Sequence, residues 1–497
     1  MKIKSFLARP YAAIIHSRIR KSMGTAVADQ QNILQQLLKT GSKTTFGKDH
    51  QLASVNDYNG FREAIPIRDY EALRPYIDLI KSGQQNVLWK GKPIYFAKTS
   101  GTTSGVKYIP ITSDSISNHI DTARNALLCY MAESGNSTFA DGKMIFLSGS
   151  PVLERVGGIP TGRLSGIVNH FVPKYLRGNQ LPSFETNCIE DWETKLGKVI
   201  TETWDQNMSL ISGIPPWMQM YFDWLTEKTG KKIKELFPNL QVLVHGGVNF
   251  EPYQAKLFES LGGPIDTIET FPASEGFFAF QDRIGEEGLL LNTDSGIFFE
   301  FIPAGEIFNE NPTRLSLADV KVGENYALII NSNAGLWGYN IGDTVRFIST
   351  DPYRIVVTGR TKHFISAFGE HVIAEEVEHA LLEAVKQQSV QVVEFTVAPM
   401  IHTDGALPYH EWLIAFDKAP ENMAAFAQLI DDTLRQKNIY YDDLLRGGIL
   451  QPLKITPLQP GAFIEYMKSQ GKLGGQNKVP RLSNDRKLAD ALLPWKR

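Results

Sequence analysis

Cysteine is scarce in this chain. Cys129 and Cys188 are the whole complement of 497 residues. Two cysteines cannot staple a chain of this length. Neither stands in a CxxC pair or near a histidine pair, so a structural zinc centre is not expected. The scarcity fits a reducing compartment, and a cytoplasmic location is expected. Long apolar runs are missing as well: no stretch approaches the ~18 apolar residues of a membrane span. The basic N-terminal stretch (Lys2, Lys4, Arg9, Arg18, Arg20, Lys21) is interrupted by Arg9-Pro10 and His16-Ser17. It therefore lacks the unbroken apolar run, about 7–15 residues, of a secretory signal. An amphipathic helix lying on its own domain is expected there. Charge is nearly balanced, with a formal net charge of -3, which argues against a general polyanion-binding face, and no nucleic-acid partner is expected. There is no internal repeat, no low-complexity tract and no Gly-x-x-x-x-Gly-Lys-Ser/Thr loop.

What is present reads as a soluble α/β enzyme. Hydrophobic residues make up 42% and charged residues 21%, ordinary for a globular protein with a sizeable core. Short apolar runs end in Gly, Pro or Ser and are followed by helical patterns. Lys143 to Ser148, Leu210 to Pro216, Leu240 to Gly247 and Ile265 to Gly276 are the clearest. This alternation predicts a mostly parallel sheet. Helices are expected over 26–38, 56–65 (capped by Asp57), 113–133 (capped by Asp114 or Ser115), 189–207, 217–229 and 252–261. Gly157 to Gly162 reads as a flexible connection. Between Gly288 and Thr358 short strands separated by turns suggest an antiparallel β subdomain. After Gly359-Arg360 a compact α+β unit follows, with helices over 374–388 and 421–436 and strands between them. The expected division is a large domain over 1–359 and a smaller one over 360–497.

Three polar loops adjoin predicted strands. Thr99-Ser100-Gly101-Thr102-Thr103-Ser104-Gly105-Val106-Lys107 combines glycines, hydroxyls and a lysine, a composition that turns backbone N–H groups and a point charge toward an anion. Considered alone, it could equally be a surface turn. Thr270-Phe271-Pro272-Ala273-Ser274-Glu275 brings a carboxylate beside a hydroxyl, and Tyr339-Asn340-Ile341-Gly342-Asp343 brings a second carboxylate. In open α/β sheets, ligands collect at the carboxyl ends of strands.

Taken together and in this order, these segments resemble the phosphate loop, the aromatic-and-Glu motif and the Tyr-x-x-Gly-Asp motif of adenylate-forming enzymes. Gly359-Arg360-Thr361-Lys362 resembles their hinge, and Gly475-Gln476-Asn477-Lys478-Val479-Pro480-Arg481 their C-terminal lysine loop. The Thr-Thr-Ser-Gly-x-Lys, Ala-Ser-Glu and Gly-Gln-x-Lys-Val-Pro-Arg forms are most similar to the acyl acid–amido synthetases, the auxin-conjugating type. The resemblance covers nearly the whole chain. It implies that a carboxylic acid is activated with ATP as an acyl-adenylate, and that an amino acid amine then displaces AMP. Ser100, Gly101, Thr102, Thr103 and Lys107 would hold phosphates. Glu275 would carry Mg²⁺, Ser274 would sit near the α-phosphate, and Thr270 would be among the nucleotide-binding residues. Phe271 and Gly246-Gly247 would flank adenine, Asp343 and Arg360 would take the ribose, and Lys478 would neutralise charge during adenylation. The smaller domain would be a mobile lid pivoting at Lys362.

Each residue also has a plainer reading: Asp343 as a turn residue, Glu275 as a first-turn helix carboxylate, Lys478 as a solvated lysine, His245 as a structural histidine, Trp217 and Met218 as core. Lys98 is a second candidate charge for the phosphate loop. The chain departs from the superfamily at His363, where an acidic residue is usual, and Glu370, Glu375 and Glu376 resemble the wider superfamily more than the plant members. A thiol acceptor such as coenzyme A is the alternative to an amine, and a non-catalytic nucleotide-binding protein is the third reading.

Overall fold

The computed structural model describes residues 3–100, 106–172, 177–248, 250–361, 364–365, 370, 372–401, 407–473, 478–483 and 485–497. The chain forms two compact units, one of Met1–Val248, Leu257–Ile341 and Val345–Val356, the other of Asn249–Lys256, Gly342–Thr344 and Val357–Arg497.

The larger unit is built on an eleven-stranded sheet. One half is parallel: Lys143–Phe146, Met208–Ser212, Val242–Gly246 and Asp266–Ala273 lie side by side. Leu210, Ile211, Val242 and Leu243 are completely buried, as expected of parallel strands covered on both faces. The helices Trp192–Thr203 and Pro215–Thr229 follow from the alternation of strand and helix, the first capped by the Asp191 carboxylate accepting from Thr194 N. The antiparallel strands expected beyond Gly288 continue this same sheet. Asp266–Ala273 turns back into Gly276–Phe280, and Leu289–Leu291, Tyr353–Arg360, Tyr339–Thr350, Asn325–Ser332 and Ile297–Pro303 follow in spatial order.

The two ends of the Thr99 to Lys107 segment lie in a second sheet of four short strands. Tyr95–Ser100 pairs antiparallel with Val106–Ile111, and Ser100 stands opposite Val106. Its other neighbour is Ile159–Gly162, which pairs in turn with Glu154–Val156. The stretch expected as a flexible connection is thus a hairpin. Gly157 (φ 59°) and Gly158 (φ 78°) supply the two left-handed residues that a tight hairpin turn requires.

Asp57 caps its helix by accepting from Gly60 N. The expectation for 113–133 needs correction at its start. The helix is Ile116–Ser134 and neither candidate side chain caps it. Asp114 is instead held by the Trp89 indole N–H (3.0 Å) and Lys90 (2.9 Å). The N-terminal helix Ile3–Met23 packs Ala8, Ala12, Ile15 and Ile19 against Ala126 and Cys129 of that helix. Among the described residues no helix is long and apolar enough to cross a membrane.

The smaller unit is a three-stranded sheet of Gln391–Met400, Tyr409–Lys418 and Lys454–Leu458. Alternation along the middle strand decides its layers. Trp412, Ile414 and Phe416 join the core under Ala374–Gln387 and Met423–Lys437. Leu413 and Ala415 point the other way, onto Phe463 and Leu492.

Candidate functional site

In the larger unit, two of the predicted segments, Gly246-Gly247 and Thr270 to Glu275, sit at the carboxyl ends of parallel strands. The strand Asp266–Ala273 runs three residues further than its apolar stretch suggests, so Thr270 and Phe271 are strand residues. Ser274 and Glu275 are the two-residue turn of a hairpin, with Ala273 opposite Gly276. Glu275 is therefore not a helix carboxylate. It is half-buried and accepts a hydrogen bond from the Tyr339 hydroxyl (3.3 Å). Two motifs that lie 64 residues apart in sequence meet in that contact. Burial, and then the charge of Glu275, hold the Tyr339 phenol well above its usual pKa, so this hydroxyl stays a donor. Ser274 is buried beside it in the turn.

Gly246 ends the neighbouring strand, and a Cβ there would stand 2.2 Å from the Thr270 carbonyl oxygen. Only glycine lets the two strands approach so closely. Gly247 is exposed and left-handed (φ 83°). The Thr270 hydroxyl donates to His245 O (2.8 Å) and so locks the two strand ends together. Phe271 is 7% exposed and packs edge-on against Phe278. It is first a core residue, and any face it gives an adenine ring is a narrow one. Burial lowers the His245 pKa to about 3, so its ring is neutral at working pH and fits the structural reading.

The loop residues Gly101, Thr102 and Thr103 lie outside the described residues, as do Lys362, His363 and Gly475 to Asn477. Ser100 is placed by its backbone at the end of its strand. The two lysines that flank the loop differ. Lys98 is paired with Glu154 (3.0 Å) across the small sheet. Lys107 is half-buried, with its ammonium over the Tyr70 ring at 5.8 Å.

In the smaller unit, three more predicted residues come together. Asp343 accepts from Arg360 Nε at 2.9 Å. Thr361 N donates to Gly342 O (2.8 Å) and ties the two segments into register. Gly342 is left-handed (φ 86°), and a Cβ on it would press on the Arg360 guanidinium at 3.3 Å. Lys478 lies within electrostatic reach of both Asp343 and Arg360. It is exposed, yet surrounding protein withdraws water from its ammonium group and lowers its pKa, while Asp343 pulls it up and Arg360 pushes it down.

Arg481, three residues after Lys478, has a role that motif reading left unassigned. It is 8% exposed and donates to Glu378 (3.0 Å), to Glu394 and to the Tyr253 hydroxyl, with its guanidinium 4.8 Å from the Phe395 ring centre. The backbone beside it adds to the sheet: Val397 N donates to Arg481 O, and Ser483 N to Val397 O. Arg481 thus fixes one end of the segment that carries Lys478. Its place in the Lys-Val-Pro-Arg run was the available signal; its partners, 87 to 228 positions away, were not.

Among the described residues no three His, Cys, Asp or Glu side chains gather to hold a metal by themselves. A single half-buried carboxylate such as Glu275 suits Mg²⁺, which keeps waters and takes substrate phosphates as its remaining ligands.

The fold, with its mixed sheet and these paired motifs, is that of an adenylate-forming ligase. It superimposes on an acyl acid amido synthetase, GH3.15 bound to 2,4-DB, with a TM-score of 0.79 over 97% of this chain and 96% of that one, at 17% identity. It also matches 2-hydroxyisobutyryl-CoA ligase in its postadenylation state (TM-score 0.55, 97% and 90% covered, 11% identity). The sequence matches the GH3 family N-terminal domain over residues 15–186, the central domain over 290–360 and the C-terminal domain over 375–487. The chain belongs to the GH3 family. It is 22% identical to indole-3-acetic acid-amido synthetase GH3.3 of Arabidopsis thaliana, over 91% of this chain and 88% of that protein. It is 21% identical to jasmonoyl–L-amino acid synthetase GH3.5 of Oryza sativa subsp. japonica, over 92% of each.

Proposed function

We propose that this protein is an ATP-dependent acid–amino acid ligase. A carboxylate oxygen attacks the α-phosphorus of ATP, the bond to the β-phosphate oxygen breaks, and pyrophosphate leaves. The acyl-adenylate carbonyl is then attacked by an amine, which loses a proton as AMP departs, and an amide is formed. The observation that carries this reading is similarity over about nine-tenths of the chain to family members named as synthetases that conjugate two different acids, indole-3-acetic acid and jasmonate.

The chain's own residues suit the steps. Phosphoryl transfer asks mainly for positioning and charge neutralisation. In the larger unit, Ser100, Gly101, Thr102, Thr103 and Lys107 take the phosphates, and Gly246-Gly247, Thr270, Phe271 and Ser274 border the nucleotide. Glu275 would hold Mg²⁺, with Tyr339 orienting that carboxylate, and the metal would offset phosphate charge. In the smaller unit, Asp343 accepts from the ribose hydroxyls with Arg360 beside it, and Lys478 brings a positive charge to the α-phosphate. The smaller domain, from residue 360 onward, acts as a mobile lid in a cytoplasmic enzyme.

The test is pyrophosphate release from ATP and Mg²⁺ with a library of carboxylic acids, followed by amino acids or coenzyme A and weighing of the product. An amide mass supports the proposal. A thioester mass assigns a thiol acceptor, and absence of pyrophosphate with every acid leaves a nucleotide-binding protein without this chemistry.

A further inference from the structure

The helix Ile3–Met23 is apolar on two sides, and the protein covers one of them. Ala8, Ala12, Ile15 and Ile19 pack inward. On the opposite side Phe6 is 60% exposed, Leu7 62%, Tyr11 44% and Ile14 65%. At about 3.6 residues per turn, Leu7, Tyr11, Ile14, Arg18 and Lys21 fall on one stripe, with Phe6 and Pro10 beside it. A helix apolar all round is normally buried all round, and neighbouring large apolar side chains left in solvent mark a surface that something covers. The charges around this stripe are of one sign. Between residues 3 and 23 stand Lys4, Arg9, Arg18, Arg20 and Lys21 and no acid, in a chain whose formal net charge is -3. Arg18 and Lys21 continue the stripe beyond Ile14, and Arg9 and Arg20 are exposed along one border. On the other border Arg124 stands 6.0 Å from the Tyr11 ring centre. The neighbouring acids are engaged: Glu133 with His16 (2.9 Å), Asp121 with Arg124 (2.9 Å), and Asp141 with Ser5 N (3.3 Å). Asp294 lies within electrostatic reach of Arg18.

A second copy of this face brings cations and no acid to these cations, so self-association leaves their charge unanswered. The outer side of a single helix is convex and offers no groove to grip a peptide. A bilayer with anionic headgroups answers both features. Its acyl boundary takes the apolar side chains, and its phosphates take the cations, whose long stems reach back to the headgroup layer. We propose that the outer face of the helix Ile3–Met23 lies flat on an anionic membrane surface. Phe6, Leu7, Tyr11 and Ile14 enter the boundary between headgroups and acyl chains, and Arg9, Arg18, Arg20 and Lys21 meet lipid phosphates. The docking face is independent of the ligase reading: vesicle binding without pyrophosphate release, or the reverse, tells against only one of the two.

The test is flotation of the full-length protein with vesicles of phosphatidylcholine, alone or mixed with phosphatidylserine. The bound fraction should be about tenfold higher on the mixed vesicles at low salt. It should fall at least about fivefold between about 0.1 and about 1 M salt, as the Debye length shrinks from about 10 to about 3 Å. Phe6→Ser, Leu7→Ser and Ile14→Ser combined should abolish binding, and so should Arg18→Glu with Lys21→Glu. All five side chains are exposed, so the melting midpoint should move little in either variant. Equal binding of wild type to neutral and mixed vesicles, or binding to neither, overturns the proposal without recourse to any variant. So does undiminished binding by a folded triple variant. Light scattering reads the competing occupant: a wild-type dimer that the triple substitution dissolves, with no vesicle binding, assigns the face to a second copy and overturns the membrane assignment.

Discussion

Asp343 is ion-paired with Arg360, whose side chain is half in solvent. An exposed ion pair of this kind contributes about 0–1 kcal/mol. Asp343→Ala should therefore leave the melting midpoint almost unchanged while weakening ATP binding at least tenfold by calorimetry; unchanged affinity removes the ribose assignment. Lys478 is exposed, so its loss is equally tolerable to the fold. Lys478→Ala should slow pyrophosphate release by roughly 100-fold or more, about 3 kcal/mol of barrier, with ATP binding nearly intact. A wild-type rate in that variant contradicts its role. His119 makes a stability prediction instead. Burial lowers its pKa to about 4 from 6.5. The unfolded chain then binds the proton first as pH falls, so stability present above pH 6.5 is lost between 6.5 and 4, on the order of 3 kcal/mol. Denaturant titrations of wild type and His119→Gln across that window should show a shallower pH slope in the variant; parallel slopes would mean His119 protonates freely in the native state.

The elements that present these residues were legible in unequal measure. Strands such as Met208–Ser212 announce themselves, because a strand buried on both faces must be apolar throughout and end at a turn. The hairpin at Ser274-Glu275 was harder. Pro272 inside the strand argued for an earlier end, and the antiparallel return through Gly276–Phe280 depends on pairing across the sheet. The anchoring of the lysine segment was not readable locally at all, since Glu378, Glu394 and Tyr253 come to Arg481 only in three dimensions. Breaking that buried group leaves acids without their counter-charge, which costs about 3–5 kcal/mol. Arg481→Met should destabilise the protein by that order in urea and slow adenylation more than it changes the KM for ATP. A neutral effect on both would make the contacts incidental. Gly246→Ala drives a methyl group into the Thr270 carbonyl and should lower both stability and nucleotide affinity; retention of both would show that the strand ends can part.

At the scale of the molecule, the residues proposed for the reaction fall in two units that the chain visits more than once. The larger takes in residues 257–341 after the smaller has received Asn249–Lys256, so a boundary at one sequence position understates how the chain is shared. Order and spacing of the motifs along nearly the whole chain were enough to name the family from sequence. The acid substrate was not, since a pocket is lined by side chains from separate elements and the relatives at 21–22% identity serve different acids. The measurement closest to the central claim is the acid-library assay with wild-type protein, ATP and Mg²⁺, read by pyrophosphate and then by product mass after amino acids are added. The account predicts pyrophosphate with a subset of acids and an amide of matching mass. No pyrophosphate with any acid, or a product that never contains the amino acid, would contradict it.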